Sequence, residues 1–126
     1  WSQHFAPLIT QPSQLAPQQF MHKTRFATKS ASQEVDIACG LGGSAGILAM
    51  ECKVTNDATN SVKRVNDILK KAKAWQDHWA SFVKTAALLQ GVIAYKDVHR
   101  LLEDNVVVFW SHRLDDFRTW LSNNVR

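Results

Sequence analysis

Two β-prone runs separated by a glycine-rich break, all within residues 35–54, constrain this chain more than any other stretch. Val35 to Cys39 favours pleated backbone, Gly40, Gly42, Gly43 and Gly46 interrupt it, and Ile47 to Val54 resumes it. The simplest reading is a β-hairpin. Side chains alternate along a strand, so Leu48, Met50, Cys52 and Val54 share one face while Ile47, Ala49, Glu51 and Lys53 share the other. Cys39 and Cys52 are expected on apolar faces, packing as small hydrophobes.

Downstream, Val62, Val65, Ile68, Leu69, Ala72, Trp75 and Trp79 recur at helical spacing, which predicts a long amphipathic helix capped by Ser61 or its neighbour Asn60. Lys63, Arg64, Lys70 and Lys71, partly balanced by Asp67, are assigned to its solvent side. Ala86–Tyr95 reads as a strand, Asp97–Glu103 as a short helix, Val106–Trp110 as a buried strand and Leu114–Leu121 as a closing helix. The resulting order, hairpin, helix, strand, helix, strand, helix, predicts an α/β fold: a mixed sheet flanked by helices. Trp75, Trp79, Trp110 and Trp120 fall at apolar-periodic positions and are expected to pack.

The prolines Pro7, Pro12 and Pro17 all lie in residues 1–20, which read as an irregular arm with at most a short helix after Pro17, either wrapping the domain or belonging to a missing neighbour. Residues 21–126 form the expected domain, taken as a piece of a longer protein. With 126 residues and 45% hydrophobic content the chain can bury its own core. It has no apolar run long enough to cross a membrane. Two cysteines are too few for a disulfide scaffold and lack zinc-site spacing, which favours a reducing intracellular setting. The histidines show no ligand spacing. Net charge is +4, and no acidic residue precedes Glu34, whereas Lys23, Arg25 and Lys29 cluster there. That stretch is a candidate phosphate-facing surface or a solvated basic loop.

Three motifs carry chemical content. Gly40-Leu41-Gly42-Gly43-Ser44-Ala45 has the glycine spacing of a dinucleotide-binding turn, and Gly42-Gly43-Ser44-Ala45-Gly46 that of a nucleophile elbow. Both need a helix to follow, and here a strand follows, so a flexible hairpin turn is the better reading. The third motif joins charge, spacing and geometry. Asp36 lies on one strand of the hairpin and Glu51-Cys52-Lys53 on the other, with 14 residues between Asp36 and Glu51. Pairing the strands would let the two carboxylates converge as hard oxygen ligands. Placing them on apolar strands is costly unless they bind a cation or pair with one another's neighbours, and a structural ion-pair cluster is the alternative.

Asp36, the 14-residue gap and Glu51-Cys52-Lys53 resemble the PD-(D/E)XK nuclease superfamily, and the hairpin followed by helix and strand resembles its restriction-endonuclease-like core. The polar turn Val54 to Ser61 entering a basic helix is most similar to type II restriction endonucleases. Val35 stands where the superfamily name has proline. The acidic residue that some relatives carry ahead of the hairpin has no counterpart here except Glu34, Gln18 or Gln19.

The resemblance implies a Mg²⁺-dependent endonuclease acting on double-stranded DNA, with Asp36, Glu51 and the Cys52 carbonyl as metal ligands. Asp36, Glu51 and Lys53 would form the catalytic set, Lys53 orienting or helping to deprotonate the attacking water. It further implies phosphate contacts from Asn60, Ser61, Lys63 and Arg64, with Lys23 and Arg25 as additional candidates. A homodimer is expected because one such site cuts one strand, and a prokaryotic cytoplasmic setting follows from the restriction-enzyme likeness. The alternative from a different class is a catalytically silent α/β domain that binds nucleic acid or protein.

Overall fold

The computed structural model describes residues 1–125. Among the described residues, six strands form one mixed sheet in sequential order: β1 (Ser2–Gln3), β2 (Gln19–Phe26), β3 (Gln33–Gly42), β4 (Gly46–Thr55), β5 (Val83–Gly91) and β6 (Val107–Trp110). The same residues form three α-helices: α1 (Ala58–Trp79), α2 (Tyr95–Glu103) and α3 (Leu114–Asn124). The expected mixed sheet flanked by helices is therefore present, and every expected element from the hairpin onward exists within a few residues of its predicted bounds.

Pairing is antiparallel for β2–β3 and β3–β4, and parallel for β4–β5 and β5–β6. Parallel neighbours need crossovers, and α1 and α2 supply them. One sheet face packs under α1 and α2, with Trp75, Trp79, Val65, Ile68 and Ala72 against Ile47, Ala49, Ala87 and Leu89. The other packs under α3, whose Phe117, Trp120 and Leu121 meet Leu48, Met50, Ala86 and Phe109. Trp110 and Trp120 are half-buried at the margins of these clusters.

The turn between β3 and β4 is a single 3₁₀ turn, Gly43–Ala45, that leads straight into a strand. No helix follows the glycines, so neither the dinucleotide nor the elbow geometry forms. Gly46 is required here: its φ is +70°, and a Cβ would come within 2.0 Å of the Phe82 carbonyl oxygen.

Three local expectations are corrected, and one left open is decided. The segment after Pro17 is not a helix; it enters β2, which pairs along β3. Of the two readings of the arm, wrapping the domain is the one observed: Ile9 and Leu15 are buried, Ser2–Gln3 add a short parallel strand, and Pro12–Gln14 form a 3₁₀ turn. Helix α1 starts earlier than expected, because Asp57 accepts the Asn60 amide at 2.8 Å and serves as N-cap in place of Ser61 or Asn60. Cys39 is buried as expected, but Cys52 is exposed, since it lies past the part of the sheet that α3 covers. No helix is long and apolar enough to cross a membrane among the described residues.

Candidate active site

The last registered pair of the β3–β4 ladder is Ile37 with Met50. One step beyond, Asp36 and Glu51 stand opposite each other, and their side chains take over the hydrogen bonds that the backbone leaves open. The Asp36 amide donates to Glu51 Oε2 at 3.1 Å, and the Cys52 amide donates to Asp36 Oδ2 at 2.8 Å. The hairpin thus brings the two predicted carboxylates together and straps each to the opposite strand.

The remaining oxygens meet lysines from two other elements. Lys23 of β2 lies 2.7 Å from Asp36 Oδ1. Lys71 of α1 lies 2.7 Å from Glu51 Oε1 and donates to the Glu34 carbonyl at 3.1 Å. Lys53 sits on the Glu51 face of β4, and its amine reaches Asp67 of α1 at 2.8 Å. The helix therefore holds both β4 residues of the motif within one turn, Lys53 through Asp67 and Glu51 through Lys71.

Burial drives the electrostatics. Glu51 is fully buried, and desolvation raises its pKa above the usual carboxylate range; the Lys71 hydrogen bond opposes this, and the Asp36 charge adds to it. Burial also pushes the Asp36 carboxyl up, but the Lys23 hydrogen bond and the Cys52 amide outweigh it and leave the group below its ordinary value. Asp67 behaves likewise, held low by Lys53 against its own desolvation. Lys23 is raised by its hydrogen bond to Asp36.

Sequence reasoning missed Lys71 and Asp67 as site residues. Helical spacing puts Lys71 on the solvent side, yet its side chain is only 15% exposed. The available signal was their four-residue spacing, one position off the apolar stripe through Ile68 and Ala72, which puts both on the helix flank beside β4.

The predicted phosphate-contacting residues are not brought together as one surface. Lys63 and Arg64 are exposed near the start of α1, and Asn60 is exposed with its side-chain amide on Asp57. Arg64 lies on the same flank as Asp67 and Lys71. Ser61 is corrected: it is fully buried, its hydroxyl donates to Asp97 Oδ2 at 3.0 Å and accepts from the Ala94 amide at 3.2 Å, so it joins α1 to α2 and is closed to a phosphate. Lys23 is engaged by Asp36, and Arg25 by Ser32.

Among the described residues, no group of three or more His, Cys, Asp or Glu is placed to hold a metal ion. The donors that could serve a small divalent cation are the Asp36 and Glu51 carboxylates and the Cys52 carbonyl. That set fits a hard ion that keeps several waters and uses one or two protein carboxylates.

No curated protein matches the chain. Its fold is similar to the crystal structure of protein VC1899 from Vibrio cholerae, with a TM-score of 0.59 at 12% identity; the match covers 86% of this chain and only 28% of that one. At that identity the likeness concerns the fold alone. Residues 3–110 match the XamI restriction endonuclease family, a span that takes in the hairpin, α1 and every member of the carboxylate–lysine cluster, and the chain belongs to that family.

Proposed function

We propose that this chain carries the catalytic centre of a type II restriction endonuclease of the PD-(D/E)XK kind, hydrolysing phosphodiester bonds of double-stranded DNA with Mg²⁺. The observation that carries the reading is the mutual strapping of Asp36 and Glu51 on adjacent strands, with Lys53 on the face of Glu51. Asp36, Glu51 and the Cys52 carbonyl would hold the ion. When bound, it would supply Lewis acidity toward a phosphate oxygen and acidify a water.

The chain's own residues do the rest. Lys53 Nζ orients the water for in-line attack; the new P–O bond forms as the P–O3′ bond breaks, leaving a 5′-phosphate and a 3′-hydroxyl. Lys63, Arg64 and Asn60 at the start of α1 position the backbone of the duplex without reading sequence. Two copies, each cutting one strand, would act as a homodimer, and a restriction enzyme of this type works in the prokaryotic cytoplasm.

The competing reading is a silent α/β binding domain. It draws on the fact that all four carboxylate oxygens already hold an N–H donor. One assay separates the two: plasmid incubated with the protein and Mg²⁺, then with Glu51→Gln and Lys53→Ala. Cleavage by the parent that falls about 100-fold or more in each variant supports the nuclease. Cutting that survives either substitution, or none in the parent, supports the silent domain.

A further inference from the structure

The two carboxylates of the site are held in the same way. Each has one oxygen on a backbone N–H of the opposite strand and the other on a lysine amine: Asp36 on the Cys52 amide and Lys23, Glu51 on the Asp36 amide and Lys71. The amides are fixed by the sheet, whereas the lysines approach on flexible four-carbon stems from β2 and α1. We infer that Lys23 and Lys71 are resident stand-in cations, occupying the two oxygens that a divalent ion would take and yielding them when it binds. The inference rests on the metal-binding reading above.

Three observations support it. While no ion is bound, the two amines supply the counter-charge, so Glu51 is never left buried without one. Both amines also have a second berth on the same residue: Lys71 donates to the Glu34 carbonyl at 3.1 Å, and Lys23 lies 3.6 Å from Glu34 Oε1. Each can leave its catalytic carboxylate without losing every partner. Finally, Lys23 adopts a φ of +59° inside a strand, a left-handed conformation that is costly for a residue with a Cβ, at the position facing Asp36.

The test is DNA-free Mn²⁺ binding, followed by electron paramagnetic resonance, together with thermal unfolding in chelator and in Mn²⁺. Parent, Lys71→Met, Lys23→Met and Glu51→Gln are compared. A resident competitor lowers apparent affinity by mass action, so each lysine variant binds Mn²⁺ about 3- to 10-fold more tightly than the parent. Lys71→Met also unfolds at a lower temperature in chelator and regains more of the loss when Mn²⁺ is added. Equal or weaker Mn²⁺ binding by a folded lysine variant overturns the stand-in role while leaving the metal site intact. Mn²⁺ binding that Glu51→Gln leaves unchanged, or that neither parent nor lysine variant shows, overturns the metal reading itself and the inference with it. Should Lys71→Met fail to fold, Lys23→Met decides alone, because Lys23 is half-exposed on β2.

Discussion

Lys53 Nζ lies 2.8 Å from Asp67 Oδ2, so the amine of the candidate catalytic lysine is aimed by a carboxylate on α1 and not by the two acids of its own motif. Asp67→Asn keeps the shape but releases the amine. Cleavage is expected to fall about tenfold while DNA affinity stays at the parent value. Single-turnover kinetics beside equilibrium binding checks this; equal losses in both would make Asp67 a DNA contact.

Acid stability divides between the carboxyls. Asp36 and Asp67 have lowered pKa values in the fold, so the stability they contribute is present above the ordinary Asp range and is lost as pH falls through their folded values. Glu51 is raised, so its contribution has the opposite sign: it favours the fold at low pH and is lost as pH rises from the ordinary Glu range through its folded value. Denaturant titrations across pH should show Asp67→Asn flattening the acid limb. Glu51→Gln should remove the decline on the other side.

Ser61→Ala removes a hydrogen bond to a carboxylate that is only 1% exposed. The expected cost is about 2 kcal/mol of folding stability, with DNA affinity unchanged. A loss of affinity without a loss of stability would restore Ser61 to the phosphate-contacting set.

For the exposed bases at the start of α1, Lys63→Ala and Arg64→Ala should each weaken binding across all DNA sequences. Each lost phosphate contact should flatten the salt dependence by about one unit of slope. Arg64→Ala should have the larger effect, because Arg64 shares the flank of α1 that carries Asp67 and Lys71. Identical slopes in parent and variants would take this helix out of the interface.

What the sequence made legible follows from periodicity. The hairpin, α1 and the later strands and helices each keep one period over enough residues to be read, and the juxtaposition of Asp36 and Glu51 followed from strand pairing alone. Strand β2 did not keep its period. Its buried residues are Met21, Thr24 and Phe26, a spacing of three and then two, because the left-handed backbone at Lys23 interrupts the alternation. The cap was misread because Asp57, Asn60 and Ser61 all suit the role, and only the hydrogen bond to the Asn60 amide distinguishes them. Lys71 and Asp67 were hidden for another reason: a charged residue beside an apolar stripe looks the same whether it faces water or a buried acid on a strand distant in sequence. The docking of the arm through Ile9 and Leu15 likewise depends on long-range contacts that composition does not carry.

The straps at the end of the β3–β4 ladder tie chemistry to architecture. Truncating either acid to alanine strands an amide donor that the ladder does not otherwise satisfy, so inactivation by that route also frays the hairpin. Asparagine and glutamine keep an acceptor oxygen at the same reach while discarding the charge. On the proposed nuclease reading, a descendant of this chain that gave up cutting would therefore be steered toward amides at positions 36 and 51, each a single-nucleotide step from the acid. Such a fossil would keep its shape and remain one short evolutionary path from rearming.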